Sequence, residues 1–123
     1  MTIQVLVVDD EPMVCAHLRT ILGAADGIEV VATAADGAEA VEAVVLHGPD
    51  VVLMDLRMPG VDGIAATARI VELPSPPPVV ALTTFDGDEH VHRALRAGAA
   101  GYLLKSTPPD ELATLVRVAA QGH

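Results

Sequence analysis

Five times over, the chain alternates a short run of β-branched and aliphatic residues with a longer stretch of helical spacing, and few folds accept that order. The short runs are IQVLVV at 3–8, IEVVA at 28–32, VVLM at 51–54 leading into Asp55, VVALT at 79–83 and AGYLL at 100–104. Each has the length and composition of a strand. Strict alternation of this kind predicts an α/β domain with a parallel sheet, because each crossover helix returns the chain to the same edge.

The longer stretches carry helix signals of their own. From Pro12 to about Leu22, Val14, Leu18, Ile21 and Leu22 fall at i, i+4, i+7 and i+8, one apolar stripe that opens on a first-turn proline and is expected to stop at Gly23. Asp36 and Glu39 have capping-box spacing ahead of a helix through Val41, Val44 and Val45 that ends at HGP, and Asp86 with Glu89 repeats it before a helix stopped by Gly98. A less strongly patterned third helix runs from about Gly63 to Glu72. The last begins around Thr107, Pro108 and the acidic pair Asp110 and Glu111, with Leu112, Leu115, Val116 and Ala119 as its apolar face.

At 123 residues the chain is one domain in size, large enough to bury roughly two thirds of its unfolded surface. Hydrophobic residues make up 51% of it, yet Tyr102 and Phe85 are the only aromatics. A core of Val, Leu, Ile, Ala and Met suits parallel strands covered by helices on both faces. No internal repeat or linker interrupts it. The PxxP spacing in PSPPP reads as a stiff loop between helix and strand rather than as a ligand motif.

Seventeen acidic against seven basic side chains give a formal charge of −10, which repels a phosphate backbone over most of the surface and argues against direct nucleic-acid binding by this segment. The single cysteine, Cys15, excludes an internal disulfide and is read as a small packed thiol. No apolar run approaches the roughly 18 residues of a spanning helix, and MTIQV lacks the basic start of a signal peptide. The expectation is a soluble cytoplasmic protein with no membrane partner.

The residues at the carboxyl end of each strand are more informative. Asp9, Asp10 and Glu11 come after the first, Asp55 closes the third, Thr83 and Thr84 the fourth, and Lys105 succeeds the fifth. In an open parallel sheet these carboxyl ends share one edge, and ligands bind where strand order reverses. Under the flavodoxin-like order 2-1-3-4-5, strands one and three are neighbours there, which brings Asp9 and Asp10 beside Asp55. Two unit charges about 5 Å apart at an effective dielectric near 20 repel by roughly 3 kcal/mol, so something must offset the cluster. A hard divalent cation does so most directly: Mg²⁺ takes one or two carboxylates and some waters and leaves positions for phosphate oxygens. With Lys105 as a compact positive charge and Thr83 as a hydroxyl donor, the set fits phosphoryl transfer onto Asp55 as nucleophile.

These residues resemble the response-regulator receiver domain of bacterial two-component signalling. The matching motifs are VLVVDDEP, VVLMDLRMPGVDG, ALTT and AGAAGYLLK, spread over essentially the whole chain. LTTFD together with RALRAGAAGYLLKS is most similar to the NarL/FixJ subfamily, whose members usually carry a LuxR-type helix-turn-helix after the receiver. The resemblance implies a CheY-like (βα)5 doubly wound sheet with Asp55 as phosphoacceptor. It implies Asp10 as a direct Mg²⁺ ligand, Asp9 as support through water and the backbone carbonyl of Arg57 as a further ligand. Thr83 would close onto the phosphoryl group, Lys105 would pair with it, and Tyr102 would report the state of Thr83 to the surface of helix four, strand five and helix five. A cognate sensor histidine kinase, homodimerisation on phosphorylation, and DNA contact only through an absent C-terminal domain complete the implied partners.

Two positions depart from the family pattern. Many receivers have Pro, often after a cis bond, directly behind the lysine; here it is Ser106. Thr84 is bulkier than the Ala or Gly often found beside the switch residue, and with Arg57 it is expected to restrict attacking water and lengthen phosphoaspartate lifetime. Among rivals, a haloacid-dehalogenase-like phosphatase needs a second Asp two residues after the nucleophile, where this chain has Arg57. A flavodoxin-like nucleotide binder needs a loop of backbone donors where this chain has DDEP. A receiver-shaped module that signals without phosphorylation is the main alternative, and labelling of Asp55 by a phosphodonor separates the two.

His17, His47, His90, His92 and His123 are read as surface residues, since His90 and His92 are two apart on one helix and share no face. DGDEH at 86–90 lacks the spacing of a calcium loop and is read as a helix cap. The chain ends at Gly122 and His123 soon after helix five, and the subfamily resemblance favours a receiver belonging to a longer transcription regulator over a stand-alone one.

Overall fold

The computed structural model describes residues 2–56, 62–84 and 89–121. Strands β1 (Ile3–Val8), β2 (Ile28–Ala34), β3 (Val51–Asp55), β4 (Val79–Thr83) and β5 (Gly101–Leu104) alternate with helices α1 (Pro12–Gly23), α2 (Gly37–His47), α3 (Gly63–Val71), α4 (Glu89–Ala97) and α5 (Pro109–Ala120). All neighbouring strands pair in parallel, in the order β2-β1-β3-β4-β5. The parallel α/β sheet expected from the alternation, and the doubly wound, CheY-like order that the resemblance implies, are both observed.

Period-two alternation divides the apolar strands between two cores. Val5, Val7, Val51, Leu53, Val80, Leu82 and Leu103 face α1 and α5, which contribute Leu18, Leu22, Leu112 and Val116. Leu6, Val8, Val52, Met54, Val79 and Ala81 face the other way, against Ala40 and Val44 of α2, Ala66 and Ile70 of α3, and Val91 and Ala94 of α4. Residues 5–8 and 51–54 are all buried. A central strand with no wet face has nowhere to place a polar side chain except at its end.

Several local features differ from the expected ones. Helix α1 ends at Gly23, as expected, though its cap is Ala24 in the right-handed helical region rather than a left-handed glycine. Strand β2 continues to Ala34 and carries an extra residue, because Val5 pairs with Val30 whereas Leu6 pairs with Ala32. That bulge lets an edge strand keep pairing while its twist changes. Helix α3 ends at Val71, with Glu72 as its cap, and its start is capped by Asp62, whose carboxylate accepts from the Ala65 N–H at 2.8 Å. Helix α5 begins at Pro109 rather than at Thr107, with Pro108 in the cap position and no side-chain bond there.

The Asp36 cap is as expected: its carboxylate accepts the Glu39 N–H at 2.9 Å, while the Glu39 carboxylate accepts from Ala35 N–H at 3.0 Å, one residue earlier than the capping box places it. Gly48 closes α2 at φ +55°. Gly98 follows α4 at φ +115°. Asp86 and most of DGDEH lie outside the described residues, as does Arg57.

Candidate functional site

Val8 lies opposite Met54 across the β1/β3 pairing, so the residues just beyond, Asp9 and Asp10, meet Asp55 at the end of β3. One carboxylate oxygen from each of the three lies within 4.8 Å of the others. Asp9 and Asp55 are 1% and 5% exposed, whereas Asp10 is open to solvent. Following the strand alternation, Asp9 and Asp55 continue the rows of Val5 and Val7 and of Val51 and Leu53, on the side of α1 and α5. Lys105 continues the row of Leu103 on that same side. Thr83 continues the row of Val79 and Ala81 on the side of α4.

Lys105 answers the charge. Its Nζ lies 3.0 Å from Asp9 Oδ2 and 3.4 Å from Asp55 Oδ1. The other Asp9 oxygen accepts the Glu11 N–H at 2.9 Å, so a nearly inaccessible carboxylate has a donor on each oxygen, as burial requires. Burial alone would lower the pKa of the Lys105 ammonium, but the hydrogen bond to Asp9 and the charges of Asp55 and Asp9 outweigh it and hold that pKa above its usual value. The Lys105 N–H also donates to the Thr83 carbonyl at 2.8 Å, which locks the start of the β5–α5 loop to β4. Among the described residues no peptide bond is cis, so Lys105–Ser106 is trans.

A cavity of about 210 Å³ opens over these groups, lined by Glu11, Asp55, Leu56, Leu82, Thr83, Thr84, His90 and Lys105. Asp55, Thr83 and Lys105 thus share one space, as expected. Thr83 is 6% exposed. Tyr102 stands apart, 39% exposed on β5, beside Leu115 and Val118 of α5.

His90 was expected on the surface and is not there: it is half-buried in the first turn of α4 and forms a wall of the cavity. His17, His47 and His92 are exposed, as expected. Nothing in local spacing marks His90; its place is set by the packing of α4 beside the strand ends. Cys15 is buried on α1 and its thiol donates to the Asp9 carbonyl at 3.4 Å. Burial first, then the Asp9 charge, push that thiol's pKa up.

Gly63 is a second position whose role local pattern does not reveal. A Cβ there would overlap the carbonyl oxygen of Asp55 and come within 2.8 Å of the Leu56 Cα. The first turn of α3 is therefore laid directly on the backbone that carries the central carboxylate, a close approach only glycine permits. Thr67 secures it by donating to the Gly63 carbonyl at 2.7 Å.

Three hard oxygen donors converging within 4.8 Å, one of them solvent-facing, fit a small divalent cation that keeps waters on its open side. The Arg57 carbonyl, expected as a further ligand, lies outside the described residues. No described helix is long and apolar enough to cross a membrane.

The family model for the response regulator receiver domain matches residues 5–117. The transcriptional regulatory protein LiaR of Bacillus subtilis is 44% identical over 121 residues, spanning 98% of this chain and 57% of LiaR. The oxygen regulatory protein NreC of Staphylococcus carnosus is 42% identical over 120 residues, 97% of this chain and 55% of NreC. The chain thus spans little more than half the length of these relatives. Among solved structures, the signal receiver domain of NarL from Mycobacterium tuberculosis superposes with a TM-score of 0.93 at 36% identity, covering 99% of this chain and 98% of that one. The strand order, the acidic cluster and these likenesses agree: the chain belongs to the response regulator receiver family and is a receiver domain of NarL/LuxR type from two-component signalling.

Proposed function

We propose that this receiver takes a phosphoryl group onto Asp55 from a cognate sensor histidine kinase and uses the added charge to reset its surface. The observation that carries this reading is the placement of Asp55: a nearly inaccessible carboxylate at the end of a buried strand, 3.4 Å from an ammonium and beside two further acids. An Asp55 oxygen attacks phosphorus, the phosphorus–nitrogen bond of the kinase phosphohistidine breaks, and the imidazole leaves with the bonding pair. Asp10 and Asp55, with Asp9 through water and the Arg57 carbonyl, would hold Mg²⁺, which supplies charge neutralisation at the phosphoryl oxygens. Lys105 holds a phosphoryl oxygen by its ammonium, and Thr83 turns its hydroxyl toward another.

The phosphoryl group brings roughly −1.5 to −2 charge and strong acceptor oxygens. Thr83 and Lys105 gain contacts that favour the inward arrangement, and Tyr102 follows Thr83, altering the face made by α4, β5 and α5. Homodimerisation through the altered surface then controls transcription, with DNA contacted by a helix-turn-helix domain outside residues 1–123. A cytoplasmic location belongs to the same reading.

Acetyl phosphate with Mg²⁺ tests the reading. One phosphoryl mass should appear on the intact protein, map to Asp55 and vanish in Asp55→Asn. Labelling of another residue, or none under conditions that load other receivers, overturns it in favour of an interaction module that works without phosphorylation.

A further inference from the structure

We infer that a second copy of this chain docks in the groove between the end of α2 and the proline-rich turn before β4, by a two-fold contact that needs no phosphoryl group. Helix α2 ends and β4 begins at the amino-terminal edge of the parallel sheet, away from Asp55. The inference does not depend on what Asp55 does.

The groove has a volume of about 320 Å³ and runs between Val45 and Gly48 on one side and Leu73, Pro74 and Pro76 on the other. Val45 and Leu46, consecutive on α2, are 70% and 79% exposed. Apolar residues scattered singly on a surface mean little, but a projecting pair that borders an apolar groove marks an interaction site. Both walls are also stiff. Gly48 turns the chain at φ +55°, and three prolines in a row at 76–78 fix φ, so little chain entropy is lost on docking.

Charge identifies the occupant. The chain carries −10 overall, yet His47 is the one ionisable side chain from Ala43 to Pro49, and Leu73 to Thr84 holds none. A basic partner would gain more from the acid-rich surfaces than from this patch. Two acidic copies meet at least cost where acids are missing, because charges more than about 8 Å apart are largely screened at physiological salt. A projection beside a groove on one patch is self-complementary about a two-fold axis: each copy's Leu46 enters the other's groove. The contact then consumes the patch and stops at a dimer. It uses no residue of α4, β5 or α5.

So small a contact belongs to the weak class of interfaces, under about 1,200 Å², and sedimentation equilibrium without phosphodonor, carried to several hundred micromolar protein, reads it. Wild type and Asp55→Asn should dimerise alike. Leu46→Glu and Pro76→Glu, both at exposed positions, should each raise the dissociation constant at least about tenfold, while Leu115→Glu on α5 should leave it unchanged. Added sodium chloride should tighten the dimer by screening the repulsion between acidic copies. A monomer throughout the series, a dimer that either glutamate at 46 or 76 leaves intact, one lost with Asp55→Asn or Leu115→Glu, or one that salt dissolves overturns the inference.

Discussion

The Lys105 ammonium lies 3.0 Å from Asp9 Oδ2, a partner 96 residues earlier in the chain. The contact ties the far side of the sheet to its centre before any phosphoryl group is present. Lys105 is thus already engaged, and on the function proposed above its contribution to phosphorylation is the difference between two sets of contacts.

Replacing that lysine exposes what it holds. A hydrogen bond between charged groups contributes about 1.5–3 kcal/mol, so Lys105→Met should lose stability on that scale in urea unfolding. The loss should shrink when excess magnesium chloride is added, because the cation supplies the charge that the ammonium no longer does. A Lys105→Met protein as stable as wild type without metal would show that solvent already screens the acids.

The same contact has a pH signature. The folded-state pKa of Lys105 is raised above the ordinary 10.5 by Asp9 and Asp55 despite the opposing effect of burial. Stability from a raised pKa is complete below the unfolded value and is lost as pH climbs through the folded one. The stability gap between wild type and Lys105→Met should thus be flat from neutrality to about pH 10 and narrow above it. Equilibrium unfolding at several alkaline pH values checks this; a gap that widens there contradicts the assignment.

Cys15 should be a poor nucleophile. Burial and the Asp9 charge raise its pKa, and only the smaller effects of the hydrogen bond to the Asp9 carbonyl and of the Arg19 charge act against them. Iodoacetamide at neutral pH should modify it at least about tenfold more slowly in the folded protein than in urea, since thiolate and access are both scarce. Mass spectra over time read this directly, and equal rates in the two states would refute it.

Gly63→Ala sets two effects of opposite sign against each other. Alanine is the better helix former by up to about 1 kcal/mol, but its Cβ would overlap the Asp55 carbonyl oxygen and crowd the Leu56 Cα. Both are backbone atoms of a buried strand end, so overpacking, which costs about 1–3 kcal/mol, should outweigh that gain. The melting temperature should fall, and on the proposed function phosphorylation of Asp55 should fall with it, because the atoms displaced belong to the backbone of Asp55 and Leu56. An unchanged melting temperature would mean that α3 shifts freely.

Strand alternation, the Asp36 cap and the acids at the carboxyl ends were legible because each depends on spacing within one segment plus the common edge of a parallel sheet. Lys105 was legible for the same reason. His90 was not, since its approach to the cleft is fixed by how α4 packs beside the strand ends, which no periodicity records. Gly63 and the β2 bulge were missed because a close approach and an extra residue appear only once two segments are laid together. Gly23 marked the end of α1 within a residue, whereas Thr107 misled as the start of α5, because consecutive prolines open that helix without a side-chain cap.

The long reach from Lys105 back to Asp9 also orders events during synthesis. Four strands and both core layers can begin to assemble as the amino-terminal portion emerges, since domains fold with their early segments available first. The acids at the strand ends nevertheless stay mutually repelled until the fifth strand adds their ammonium. A nascent chain short of that residue has most of its sheet but an open acidic edge, so the charge of that edge is answered from within the chain only when its last strand is complete.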